Sequence, residues 1–345
     1  MSARLESIAS FQATMAHNFW KQVFTSVPLI PAQLDLAGKT VLVTGSNVGL
    51  GLESVRHFLK LRPRLVIMAV RSREKGEAAA TSLRPEFPGT AIQVWEIDMA
   101  SFQSVQAFVA RLTRELDGRL HVAVLNAGLS KIRFERAQEG GRHESTLQVN
   151  YLGTALLALL LLPTMRPTAS SPEPGRLSIV NSEAALPVDL DDPDQGGLLD
   201  SLDRPENYDG FSQYSKSKLL VMMFIAKLAE VVSPDEVIVN CTDPGATKGT
   251  AFFREVDSWA FKIALHILLG IMGRNMSDAA RIYLHSTVVL GKESHGSYTD
   301  WMIRAWPTIM YSEKGRRLSE KLWDETLEEL KFAKVGDMWK ILTEI

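Results

Sequence analysis

Six stretches of this chain are apolar on consecutive positions: KTVLVT (39–44), RLVIMA (64–69), AIQVWEI (91–97), LHVAVLN (120–126), RLSIVN (176–181) and EVIVNC (236–241). Unbroken β-branched and aliphatic runs of this length predict strands covered by helices on both faces. They alternate with helical stretches, so the predicted fold class is α/β, a doubly wound parallel sheet. After residue 250 only GSYTDW (296–301) reads as a further, seventh strand.

The first 25 residues follow a different rhythm. Ile8, Phe11, Met15, Phe19, Trp20 and Val23 recur at three- and four-residue steps, which predicts an amphipathic helix. Gln12, Thr14, His17 and Asn18 interrupt the apolar run that a secretory signal needs. The apolar face is expected to dock on the parent domain, with attachment to a membrane surface as the alternative. Two other segments, Leu152 to Leu162 and Trp259 to Met272, fall short of the roughly 20 residues of a bilayer crossing, so no transmembrane segment is expected. The second carries a narrow polar stripe of Ser258, Lys262, His266 and Gly270. It reads as a core or interface helix, as a flap over an apolar pocket, or as a peripheral membrane contact. The acidic, Pro- and Gly-containing stretch from Pro187 to Gly210 reads as a solvated surface loop, and Ser319 to Ile345 as helices with charged outer faces.

Charge narrows the partners. The chain has 345 residues, and 38 Lys and Arg against 40 Asp and Glu leave a net charge of −2 with no field to gather nucleic acid. A single cysteine, Cys241, forms neither an internal disulfide nor a thiolate zinc site, which fits a cytoplasmic protein. Seven scattered histidines show no metal-ligand spacing, so no metal is expected, and His121 and His143 read as structural. No Gly-x-Ser-x-Gly elbow points to a hydrolase.

The first strand runs into Thr44-Gly45-Ser46-Asn47-Val48-Gly49-Leu50-Gly51, followed by a helix. Glycines there allow a tight turn and let backbone approach a pyrophosphate at the positive end of that helix. The second strand ends in Arg71-Ser72-Arg73 with Lys75 one turn on, and no carboxylate waits there for a ribose diol. Arg71 and Lys75 suit a 2′-phosphate, so the expected cofactor is NADP(H) rather than NAD.

With these motifs in order, the chain resembles the short-chain dehydrogenase/reductase family over residues 36 to 250. The glycines at 45, 49 and 51 match its TGxxxGxG loop, and Asp98 matches the aspartate beside the adenine. Asn126, Ala127 and Gly128 match its NNAG motif, with Leu125 in place of the first Asn. Asn150, Ser182, Tyr214 and Lys218 match its catalytic tetrad, and Asp243-Pro244-Gly245 the turn beside the nicotinamide. One departure follows: Gly249 stands where the family often has Ser or Thr, leaving Thr247 or Thr250 to hold the carboxamide. The closest likeness is to retinol-dehydrogenase-like members and to fungal reductases of specialised metabolism.

The resemblance implies one Rossmann-type domain with strand order 3-2-1-4-5-6-7. Residues 1–35 would form an N-terminal helical extension, 36–250 the cofactor-binding and catalytic core, and 251–345 a substrate cap with the last strand. It implies homodimers formed through the helix after Asn150 and the helix bearing Tyr214, with burial of the apolar Leu152 to Leu162 stretch within the monomer as the equal alternative. The implied activity is NADPH-dependent interconversion of a ketone or aldehyde and an alcohol on a bulky hydrophobic small molecule. A cofactor-retaining protein with a non-redox role, as cyclase, isomerase or scaffold, is the alternative. Tyr214 would be the proton donor, and Lys218, four residues on along one helical face, together with the positive oxidised nicotinamide would draw its pKa toward working pH. Ser182 would polarise the substrate oxygen, and Asn150 would hold a water or backbone turn that links Lys218 to solvent.

Overall fold

The computed structural model describes residues 3–334 apart from 117, 138–141, 194–195, 207, 250–269 and 271. Two helices, α1 (Ala3–Gln12) and α2 (Met15–Phe24), precede β1 (Thr40–Thr44). Alternation then follows: α3 (Gly49–Leu59), β2 (Leu65–Val70), α4 (Arg73–Leu83), β3 (Ala91–Glu96), α5 (Phe102–Glu115), β4 (Val122–Leu125). Next come α6 (Ser145–Met165), β5 (Gly175–Val180), α7 (Leu198–Leu202), α8 (Gly210–Val231) and β6 (Val237–Thr242). The described chain closes with α9 (Met276–Leu284), β7 (Ser297–Thr299), β8 (Ile303–Arg304) and α10 (Glu313–Glu329).

The strands form one sheet in the order β3-β2-β1-β4-β5-β6-β7-β8. It is parallel except at the β7–β8 pair. All seven predicted strands are present. The antiparallel eighth is two residues long, too short to leave a pattern, and follows a turn in which Asp300 Oδ1 accepts from Met302 N at 2.9 Å. Consecutive strand residues feed opposite layers, which is why the runs lack alternation. Leu42, Ile67 and Ala123 face α5, α6 and α8, whereas Val41, Val43, Val66 and Val124 face α3, α4 and α9.

Helix α6 is long and apolar enough to cross a bilayer, yet 94% of that stretch is buried inside the protein. Its fourth to eighth residues lie in a π-helical turn, Gln148–Leu152, and Gly153 passes so close to the Met99 carbonyl that a Cβ would not fit. Arg166, extended ahead of Pro167, ends the helix.

Helix α10 lies across α6 and α8. The hydroxyls of Tyr151 and Thr326 are 2.6 Å apart, the rings of Phe224 and Trp323 are 5.8 Å apart, and Glu329 Oε1 is 3.2 Å from His143 Nε2. The apolar surface that the family resemblance assigned to a homodimer is therefore packed against the chain's own C-terminal helix. The 187–210 stretch is also more anchored than its composition suggests: it contains α7, whose Leu198 and Leu199 are buried. The Leu198 and Leu199 amides donate to the Glu325 carboxylate of α10 at 2.7 and 2.8 Å.

The amphipathic N-terminal stretch docks the other way round from the expectation. It breaks into two helices at Ala13-Thr14, and Thr14 Oγ1 caps α2 by accepting from His17 N. Its polar side faces the domain. Gln12 Oε1 accepts from Arg304 Nε and Ala305 N, both at 3.0 Å, and Lys21 Nζ pairs with Asp300 Oδ2 at 3.0 Å. Asp300 is almost fully buried beside Arg304, and a buried carboxylate requires such cations, so the polar stripe decides the orientation. The predicted helix at 259–272 lies outside the described residues except for Gly270 and Met272.

Candidate active site

The site lies at the carboxyl ends of β1, β4, β5 and β6, where a parallel sheet of this winding leaves a crevice. Gly45 (φ +65°) and Gly49 (φ +60°) adopt left-handed backbone between β1 and α3. Nothing lies within 4 Å of where a Gly49 Cβ would be, so the loop is open on that side. A Cβ on Gly51 would run into the Gly45 carbonyl and come within 2.6 Å of Asn126 Nδ2. The N-cap position of α3, Val48, makes no side-chain cap, so its first amides remain available to an anion. Asn47, Val48 and Leu50 line this turn on the partly accessible side, whereas Ser46 is buried and donates to Val43 O at 2.9 Å.

Arg71 and Lys75 are exposed at the end of β2 and the start of α4, and neither makes an ion pair among the described residues. Asp98, just beyond β3, accepts from Ala100 N at 2.9 Å and fixes the next corner. Asn126 Nδ2 donates to the carbonyls of Thr44 (2.9 Å) and Gly45 (3.2 Å), while Ala127 N donates to Thr44 Oγ1 at 3.0 Å. The β4 end thus braces the glycine loop. An open turn, an uncapped helix N-terminus and two unpaired cations fit a dinucleotide carrying an extra phosphate.

Tyr214 and Lys218 lie one turn apart on α8. Ser182, which follows β5, is near enough to the Tyr214 hydroxyl to act on it as a hydrogen-bonding neighbour. Lys218 Nζ sits 5.6 Å from the Tyr214 ring centroid and donates to Val180 O at 2.9 Å. Burial lowers Lys218 to about 8, against the opposing pull of Cys241 and Asp243. Burial drives the Tyr214 phenol well above its ordinary range, more than the Ser182 hydrogen bond lowers it. In the protein alone the tyrosine is therefore a held neutral acid, and Lys218 by itself does not bring it toward neutrality.

Asn150 sits in the π-helical turn of α6, a distortion that recurs at functional positions. Its Oδ1 accepts from Leu129 N and its Nδ2 donates to Leu129 O, both at 2.8 Å, with a further bond to Ser217 Oγ at 3.0 Å. Asn150 therefore clamps the Leu129 backbone from both sides. The turn it grips begins at Gly128, where a Cβ would stand 3.7 Å from Lys218 Nζ.

On the far side, Pro244 and Gly245 (φ +72°) follow Asp243, whose two carboxylate oxygens accept from Gly245 N (2.8 Å) and Tyr298 OH (2.6 Å). Thr247 Oγ1 donates back to Gly245 O at 3.0 Å, so its hydroxyl serves the loop. Thr250 lies outside the described residues.

Several residues of this scaffold carry no sequence signal. Gln22 of α2 donates to Ala246 O at 2.6 Å, and Arg274 donates to Thr25 O and Lys21 O at 2.8 and 3.1 Å. Tyr283 OH donates to Asn126 Oδ1 at 2.9 Å. Asn181 accepts from Ser182 N at 2.7 Å and donates to Lys218 O at 3.1 Å, tying the serine to the lysine; its place directly before Ser182 was the one available hint. Glu183, next to Ser182, is pushed up to about 7 by burial and by Asp243.

Comparison with known proteins gives the family. Residues 39–188 match the short chain dehydrogenase family model. The short chain dehydrogenase/reductase mfmJ of Annulohypoxylon moriforme is 42% identical, over 92% of each chain. The short chain dehydrogenase virL of Hypocrea virens is 44% identical, over 96% of each. The chain belongs to the short-chain dehydrogenase/reductase family. Among solved structures of this family's fold, it is similar to an NADPH-bound carbonyl reductase from chicken fatty liver (TM-score 0.58, 17% identity, 79% of this chain and 100% of that one). It is likewise similar to the RhlG/NADP complex of Pseudomonas aeruginosa (TM-score 0.58, 22% identity, 79% and 98%). The sheet order and flanking helices are those of a Rossmann-type short-chain dehydrogenase/reductase, with one added antiparallel edge strand.

Proposed function

We propose that this family member is an NADP(H)-dependent oxidoreductase that interconverts a ketone or aldehyde and an alcohol on a bulky, hydrophobic small molecule of fungal specialised metabolism. The observation that carries the reading is the placement of Tyr214 and Lys218 one turn apart on α8 beside Ser182, with the Lys218 ammonium 5.6 Å from the Tyr214 ring centroid. NADP(H) is favoured by unpaired Arg71 and Lys75 beside an open, uncapped glycine turn, and by the NADP named with the similar structures. The fungal relatives support the metabolic setting.

When bound, the nicotinamide supplies or accepts the hydride at the substrate carbon. The chain's own residues manage the oxygen. Ser182 and Tyr214 converge on one point from β5 and α8, so a carbonyl oxygen held there accepts two hydrogen bonds as charge develops on it. The neutral Tyr214 phenol then gives up its proton. Lys218, fixed on Val180 O, stabilises the resulting phenolate by its charge, and the Gly128–Leu129 turn held by Asn150 keeps backbone beside its ammonium.

The test assays hydrophobic ketones, aldehydes and alcohols with NADPH and NADH in parallel. Saturable NADPH binding with substrate-dependent change in nicotinamide absorbance is expected. Absence of NADPH binding, or conversion without absorbance change that survives Tyr214→Phe, overturns the proposal, the second outcome in favour of a non-redox role.

A further inference from the structure

The polar side of α2 is spent on the domain, so its apolar side faces outward, joined by Phe11 at the end of α1; the first turn of α1 exposes Arg4 and Glu6 instead. Met15 is 90% exposed, Phe24 66%, Phe11 62% and Trp20 56%, with Phe19 and Val23 also exposed. A two-helix element bound by a buried Lys21–Asp300 pair and by Gln12 and Gln22 does not roll over to hide these side chains. The chemistry of this surface is uniform. From Ser7 to Leu34 the chain holds no acid and only two ionisable residues, His17 and Lys21. Both point inward, His17 to Arg304 at 3.2 Å and Lys21 to Asp300. Burial, Arg304 and Lys21 all lower the His17 pKa, so it stays neutral.

We propose that the outward face of α1 and α2 is a docking surface for the neutral interfacial region of a lipid bilayer. A protein partner normally meets a polar, hydrogen-bonding rim around an apolar centre. From Ser7 to Phe24 this face exposes no charged group, Arg4 and Glu6 lying one to two turns before Phe11. Instead it gathers Trp and Phe on one side of short helices lying along the surface, the composition that settles at the headgroup–acyl boundary. The 6.4 Å Trp20–Phe24 ring pair forms one continuous wedge. With no exposed cation from Ser7 to Leu34, attachment there is driven by apolar burial rather than by anionic lipid.

The placement has a consequence for the site, which rests on the function proposed above. Gln22, on the inward side of the same helix, holds Ala246 O in the loop after β6. Docking would set that side of the crevice beside the membrane, where apolar substrates partition.

The experiment uses the full chain and large unilamellar vesicles of phosphatidylcholine, with and without phosphatidylserine, at low and high salt. Sedimentation with phosphatidylcholine alone, unchanged within about two-fold by salt or phosphatidylserine, is the expected result. The Phe19→Ser, Trp20→Ser, Phe24→Ser triple variant should lose partitioning at least ~10-fold while its NADPH affinity and far-ultraviolet dichroism stay as in wild type. Wild-type sedimentation does not depend on how the variant folds, and quenching of Trp20 by brominated lipid checks the depth directly. No sedimentation of the wild type overturns the proposal, as does binding confined to phosphatidylserine vesicles and abolished by salt. A wild-type dimer that the triple variant converts to monomer, without vesicle binding, assigns the face to a second copy instead. Because neither readout requires turnover, failure here is separate from failure of the redox reading.

Discussion

The Tyr283 hydroxyl donates to Asn126 Oδ1 at 2.9 Å, and the nitrogen of that same amide donates to the carbonyls at the end of β1. One residue from α9 thereby sets the orientation of the amide that braces the glycine turn. In Tyr283→Phe the half-buried amide oxygen loses its donor, a loss of about 0.5–1.5 kcal/mol. Chemical denaturation should show that loss, and NADPH titration a weaker dissociation constant, with the catalytic Tyr214–Ser182 pair untouched.

Tyr214→Phe removes the proposed proton donor and keeps the ring. Turnover should fall roughly 10²–10⁴-fold, the range of a general acid. Cofactor affinity, measured by fluorescence, should stay within about two-fold, since the ring still fills the same wall. A large loss of NADPH binding would instead assign the hydroxyl to the cofactor.

Arg71→Ala should raise the NADPH dissociation constant about ten-fold or more and leave NADH binding unchanged, because only the extra phosphate uses a charge-assisted bond there. Lys75→Ala should act in the same direction and more weakly. Equal effects on the two cofactors would remove Arg71 from this role.

His143 offers a pH test of the fold. Burial opposes its charge, yet hydrogen bonds to Asp203 (3.1 Å) and Glu329 (3.2 Å) raise it to about 9. A raised value means that the folded state holds the proton more tightly than the unfolded chain. The contribution is complete below about pH 6.5 and lost as pH rises through about 9, and the shift corresponds to about 3 kcal/mol. Urea unfolding at pH 6 and pH 9.5 should show this decline in wild type and a flatter profile in His143→Gln.

Light scattering should return the mass of one chain for the Phe19, Trp20, Phe24 triple variant. A dimer through α6 and α8 would have to displace α10 from Tyr151 and Phe224. A dimeric variant would show that α10 leaves that face.

The sheet and the tetrad were legible because their signals are local. Ser182 follows an unbroken apolar run, and Tyr214 and Lys218 share a helical face at a fixed spacing, so one strand and one helix carry their positions. Gln22, Arg274, Tyr283 and Asp300 were not legible, since each acts on a partner more than 150 residues away or through a loop of no pattern. The direction of α2 failed for a related reason. Three- and four-residue periodicity reports that two faces differ, but the buried Asp300 determined which face turned inward. The eighth strand and α7 escaped notice because two and five residues are too few to establish a period.

The pairing of Lys21 with Asp300 spans 279 residues of chain. During synthesis at about 5–20 residues per second, α2 is made tens of seconds before the carboxylate that fixes it. Throughout that interval neither its apolar nor its polar face has a site to occupy, and the wall at Ala246 has no support from Gln22. The crevice is finished only when nearly the whole chain has left the ribosome, so the first helices synthesised are among the last to reach their places.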